Sequence, residues 1–124
     1  MNRSKRIVLY VSDNKFMHII ITDTLKSYNV EVVHAYEGQS ALDKLKQSKV
    51  DLVLTDIDMP GMDGFQLCEK VRALNLSPPP NVVVYSGSES PEDIEKAFTS
   101  GAKGYIVKKY QKEALAQRII HHIP

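Results

Sequence analysis

Two rhythms of hydrophobic and polar residues alternate along this chain. Apolar runs at 7–11, 30–35, 52–55, 82–85 and 104–107 read as strands. Most are near-continuous, which is the pattern of strands buried on both faces of a parallel sheet. The run at 30–35 sets Glu31 between Val30 and Val32 and so belongs nearer an edge. Between the runs the spacing turns helical. Met17, Ile20, Ile21, Thr24 and Leu25 follow the i, i+3, i+4, i+7, i+8 rule, which predicts a helix over about 15–27. The Ser12-Asp13-Asn14 stretch before it can supply the cap.

Ala41, Leu42 and Leu45 outline a second helix, with Lys44, Lys46 and Lys49 in solvent. A third starts at Phe65 and carries Leu67, Cys68, Val71 and Leu74 on one face. Ile94, Ala97 and Phe98 give a fourth its buried stripe, with Ser90 as cap, Pro91 in the first turn, and Glu92 and Asp93 at its positive end. Leu115, Arg118, Ile119 and His122 outline the fifth. Five strand–helix units joined by right-handed crossovers predict an α/β fold, a doubly wound parallel sheet with helices on both faces. The flavodoxin-like strand order 2-1-3-4-5 is taken by analogy.

Composition narrows the setting. At 124 residues the chain is one domain, 1–124, whether it stands alone or belongs to a longer multidomain protein. Net charge is +1, with basic and acidic residues interspersed, which argues against direct nucleic-acid binding. The single cysteine, Cys68, has no partner for an internal disulfide and fits a reducing compartment. The opening Met-Asn-Arg-Ser-Lys-Arg is basic, yet the apolar run after it is shorter than the roughly seven residues of a signal-peptide core. No run approaches the ~18 apolar residues of a membrane span. The expectation is a soluble, cytoplasmic domain with no membrane partner.

The candidate chemistry lies at the strand ends. Leu52 to Thr55 runs straight into Asp56, and Asp58, Pro60, Gly61, Asp63 and Gly64 follow in a stretch that forbids regular structure. All tips of a parallel sheet point one way. Ser12 and Asp13 after the first strand, Asp56 after the third, Ser86 after the fourth and Lys108 after the fifth therefore converge on one rim. A carboxylate there can be a nucleophile, a ligand for a hard cation, or both. Oxygen donors suit Mg²⁺, and a hydroxyl with an ammonium suits a transferring phosphoryl group. Each residue also has a plainer reading. Asp13 can be a helix cap, Asp58 a solvated loop acid, Ser86 a turn residue, Lys108 a surface lysine, and Tyr105 strand filler. Asp63 orders the loop, and Cys68 is an inert core thiol. His18 and His34 are isolated and receive no role. The His121–His122 pair reads as a partner for the helix dipole.

On these residues the chain resembles the receiver domain of bacterial two-component response regulators. Asp56-x-Asp58-Met-Pro-Gly-Met-Asp-Gly64 is similar to that family's phosphoacceptor segment. Ser86-Gly87 is similar to its hydroxyl residue followed by a small one, and Gly101-Ala-Lys-Gly-Tyr105-Ile-Val-Lys108 to its switch aromatic and lysine. The resemblance implies that Asp56 accepts a phosphoryl group from a histidine kinase or phosphotransfer protein. It implies Mg²⁺ held by the Asp13 and Asp56 side chains and by the Asp58 backbone carbonyl. Lys108, Ser86 and Gly87 would bind the phosphoryl group, and Ser86 with Tyr105 would switch. The helix 4–strand 5–helix 5 face would then meet an output domain, an output protein or a second copy.

Two departures from the family pattern stand out. Ser12 replaces the first of an acidic pair, which implies a contact to the metal through water at most and weaker Mg²⁺ binding. Lys109 replaces a proline that follows the lysine in a cis bond. A non-proline cis bond costs about 2.5–4 kcal/mol, so a trans bond and a displaced loop are expected. These departures support the competing reading, a pseudo-receiver that binds partners without phosphorylation. A third reading, a phosphatase using Asp56 and Asp58, needs a longer chain and further acids near Lys108, and none follows before Glu113.

Overall fold

The computed structural model describes residues 5–124; the first four residues of the basic opening stretch lie outside the described residues. Ten elements alternate: β1 (Arg6–Val11), α1 (Lys15–Leu25), β2 (Val30–Ala35), α2 (Gly38–Gln47), β3 (Leu52–Thr55), α3 (Gly64–Ala73), β4 (Asn81–Ser86), α4 (Pro91–Ser100), β5 (Gly104–Val107) and α5 (Lys112–His121). The strands form one parallel sheet in the order β2-β1-β3-β4-β5, as expected. β2, the run with a charge inside it, is an edge strand.

The pleat sends alternate residues of each strand into two cores. Leu9, Val11, Val53 and Val84 face α2, α3 and α4, and pack with Leu45, Phe65, Leu67 and Ala97. Val8, Tyr10, Leu52, Leu54, Val83 and Ile106 face α1 and α5, and pack with Ile21, Leu25, Leu115 and Ile119. Burying one such aliphatic side chain contributes about 1.5–3 kcal/mol. Helix propensities differ by less than about 1 kcal/mol per residue, and helices this short are marginal alone. Packing on the sheet therefore decides where the helices lie.

Several local expectations change. α1 ends at Leu25, two residues early, because the chain turns through Asn29 in the left-handed region at φ 56°. Its cap is Asn14, whose Oδ1 accepts from the N–H groups of Phe16 and Met17 at 3.0 and 3.3 Å, which leaves Asp13 uncommitted. α4 buries Ala97 and Ser100, and Phe98 is 49% exposed. Two small residues three apart let that helix lie close to its neighbours, and Phe98 falls about 100° around from Ala97. His122 is more than a dipole partner. Its ring lies where a side chain on Gly104 would stand, with Nε2 2.7 Å from that point, and its carbonyl accepts from Asn81 Nδ2 at 2.8 Å. Asp63 forms a capping box with Gln66 at the start of α3. The Lys108–Lys109 bond is trans, as expected.

Candidate functional site

Three backbone hydrogen bonds carry the ladder past the strand ends and hold the rim in register. The Ser12 N–H donates to the Ala35 carbonyl at 3.1 Å, the Asp56 N–H to Val11 at 3.0 Å, and the Lys108 N–H to Ser86 at 2.8 Å. Asp56 is thereby fixed between the β1 and β4 tips, and it is only 8% exposed. A buried carboxylate requires partners, and each oxygen has one. Lys108 Nζ stands 3.0 Å from Oδ1, and Ser12 Oγ donates to Oδ2 at 2.7 Å. The ammonium pairs with Oδ1 by charge and proximity; no aligned hydrogen bond reaches that enclosed oxygen.

Beside the water-mediated metal contact expected of it, Ser12 makes a direct contact to Asp56. Ser12 is fully buried, and Asn14 donates its N–H to the Ser12 hydroxyl oxygen at 3.1 Å. Asp13 and Asp58 are exposed, and with Asp63, Met59 and Pro60 they line a shallow depression of about 340 Å³. No three His, Cys, Asp or Glu side chains converge as a metal cage among the described residues. The donors at this depression are hard carboxylate oxygens, which suits Mg²⁺, an ion that keeps several of its own waters.

The β4 tip and its loop are tied to β5. Ser86 is buried, and its hydroxyl oxygen accepts from the Ser88 N–H at 3.0 Å. Gly87 is exposed, with nothing in reach of a side chain there. Tyr105 is half-buried and donates its hydroxyl to the Ser88 carbonyl at 2.9 Å, while Ser88 Oγ donates to Asp93 at 2.6 Å. The tyrosine is therefore already turned against the loop.

Three contributors take parts in the site that the sequence reading did not give them. Tyr85 lies under the Lys108 ammonium, 5.2 Å from ring centroid to Nζ; burial, then the Asp56 charge, raise its phenol pKa. Gly64 sits where any side chain would run into the Asp56 carbonyl. The third is a histidine pair. His18 and His34 meet Nδ1 to Nδ1 at 2.7 Å, and His18 Nε2 reaches the Ser12 carbonyl at 2.8 Å. A carbonyl only accepts, so His18 carries its proton on Nε2 and receives the Nδ1–H of His34. The two lie 16 residues apart, on a helix and a strand, and nothing in their spacing signals contact. Cys68 is buried in the core as expected, its thiol pushed up to about 12 mainly by burial.

Burial, aided by His18 and Lys44, lowers the pKa of His34, and burial with His121 lowers that of His122. The unfolded chain therefore binds more protons below about pH 6.5, the unperturbed histidine value. The stability these groups contribute is complete above that pH and falls as pH drops toward the folded values. Urea midpoints at pH 7.5 and 5.5 should show a loss of stability in the acid sample. The loss should be smaller in His34→Asn; equal losses would refute the assignment to His34.

The family model for the response regulator receiver domain matches residues 8–120. The heme response regulator HssR of Staphylococcus haemolyticus is 33% identical over 86% of this chain and 46% of its own length. The sensor histidine kinase RcsC of Salmonella typhi is 30% identical over 91% of this chain and 12% of its own length. The chain thus spans less than half of these relatives. The chemotaxis protein CheY4 of Vibrio cholerae has a TM-score of 0.89 and 27% identity, over 96% of this chain and 99% of that one. With a family model that covers nearly every described residue, this chain belongs to the response regulator receiver domain family.

Proposed function

We propose that this domain is a phosphorylation-controlled switch with Asp56 as phosphoacceptor. The carrying observation is the pairing of one carboxylate oxygen with an ammonium and the other with a hydroxyl at the tips of adjacent strands. As Lys108 draws away from Asp56 Oδ1, which is enclosed at rest, that oxygen attacks the phosphorus of a phosphohistidine on a histidine kinase or phosphotransfer protein. The P–N bond breaks, its electron pair goes to the imidazole, and the new P–O bond makes an aspartyl phosphate. Lys108 moves from Oδ1 to the phosphoryl oxygens and neutralises their charge. The Ser86 hydroxyl is on the same rim, and Gly87 leaves the approach open.

Asp13 and Asp56 side chains with the Asp58 carbonyl would hold Mg²⁺, which when bound neutralises charge on the transferring group. Drawing Ser86 toward the phosphoryl group pulls on a loop that Tyr105 and Asp93 also hold. That links the site to the α4–β5–α5 face, where an output domain, an output protein or a second copy would respond. A cytoplasmic setting accompanies this reading; no described helix is long and apolar enough to cross a membrane.

The test is labelling with a small phosphoryl donor and Mg²⁺. Wild type should take up one acid-stable, base-labile phosphoryl group, and Asp56→Asn none. A folded wild type that stays unlabelled, with amide signals unmoved by beryllofluoride, would instead favour a phosphorylation-independent module, for which Ser12 is the support.

A further inference from the structure

We propose that Ser12 is a catalytic residue of the aspartyl-phosphate cycle, its hydroxyl hastening loss of the phosphoryl group through Asp56 Oδ2. The inference rests on Asp56 being the phosphoacceptor. It concerns the oxygen that does not carry phosphorus.

Ser12 is held as a donor from every side. Its N–H is bonded to Ala35, its carbonyl accepts from His18 Nε2 at 2.8 Å, and its hydroxyl oxygen accepts from the Asn14 N–H at 3.1 Å. The remaining direction is that of its own O–H, which points at Asp56 Oδ2, 2.7 Å away. The residue is fully buried, so water does not compete for that proton. The His18–His34 pair stands behind the carbonyl and fixes the loop from which the hydroxyl projects.

The effect on rate follows from the charge on Oδ2. In the aspartyl phosphate, Oδ2 is the carbonyl oxygen of a mixed anhydride and a weak acceptor. In hydrolysis a water oxygen bonds to phosphorus, and the P–Oδ1 bond breaks. Its electron pair returns to the carboxyl group, and the surplus water proton leaves with inorganic phosphate. Negative charge thus grows on Oδ2 as the bond breaks, and a hydrogen bond to an ionised acceptor is about twice as strong as one to a neutral acceptor. An interaction stronger in the transition state than in the ground state accelerates the step. A preorganised buried donor does so without reorganisation. Ser12 keeps its own proton throughout.

The neighbouring Tyr10 supplies a control. Its hydroxyl is buried beside Ser12 and Asp56 and lacks the alignment of a hydrogen bond to either. Removing that hydroxyl perturbs the same pocket and keeps the Ser12 hydroxyl itself.

The experiment phosphorylates the full chain with acetyl phosphate and Mg²⁺, removes the donor, and follows decay on a phosphate-affinity gel. Ser12→Ala should decay about tenfold more slowly than wild type. Ser12→Thr, which keeps the hydroxyl, should stay within about twofold of wild type, as should Tyr10→Phe. Ser12→Cys is nearly isosteric with a weak donor. It should fall between, and it reads the same effect if the alanine variant fails to fold. Equal decay in wild type, Ser12→Ala and Ser12→Cys would overturn the role of Ser12 and leave the phosphoacceptor intact. Equal slowing by Tyr10→Phe would also overturn it, by assigning the effect to the pocket at large. A wild type that takes no label at Asp56 would overturn both.

Discussion

Lys108→Ala should slow phosphoryl acceptance at Asp56 about a hundredfold or more. The ammonium is 3.0 Å from Asp56 Oδ1 and is the one cation paired with that carboxylate among the described residues. The phosphoryl group brings further negative charge to the same place, so the lysine has more to neutralise in the transition state than in the resting site. Removing one preorganised stabiliser of this kind costs about 10²–10³ in rate. Stability should respond far less. A fully buried pair that loses one member costs about 3–5 kcal/mol. Here the lysine side chain is 29% exposed and solvent shares its charge, so about 1 kcal/mol is expected. Single-turnover labelling and urea unfolding on one preparation separate the two effects. A rate within threefold of wild type would reduce Lys108 to a passive counter-ion.

Gly64→Ala should destabilise the fold by about 3 kcal/mol and impair phosphorylation with it. An added methyl would collide with the Asp56 carbonyl and stand 2.9 Å from Ile57 Cα. Both are backbone atoms and cannot swing aside. Gly64 also donates its N–H to Ile57 at 2.7 Å, so the start of α3 is pinned against the segment that carries Asp56. To admit the methyl, either α3 retreats or Asp56 shifts from Lys108 and Ser12. Gly87→Ala is the matched comparison. Open space surrounds that position, and stability there should change by less than about 0.5 kcal/mol. Equal urea midpoints for Gly64→Ala and wild type would contradict the close approach.

The strands were legible because each is an apolar run bounded by breakers, and their parallel order followed from five strand–helix units with short connections. The rim followed in turn, since parallel strands present all their C-terminal ends on one side. Asp56, Ser86 and Lys108 could be named from their places after strands 3, 4 and 5. α4 was less legible. Periodicity marks which residues share a face, yet several faces of that helix carry an apolar residue. The close approach of Ala97 and Ser100 settled the choice and left Phe98 in solvent.

Local pattern thus determined the elements, their order and the acids and lysine at the strand tips, because those properties depend on residues near in sequence. Contacts across the sheet decided the rest. Ser12 meets Asp56 over a separation of 44 residues, and His18 meets His34 over 16. A side chain's hydrogen-bond partner depends on which groups burial brings within 3 Å and on where their protons can point. Spacing along the chain does not encode that. The serine therefore looked like a departure from an acidic pair in the sequence and became a donor to Asp56 only when the strands were laid side by side.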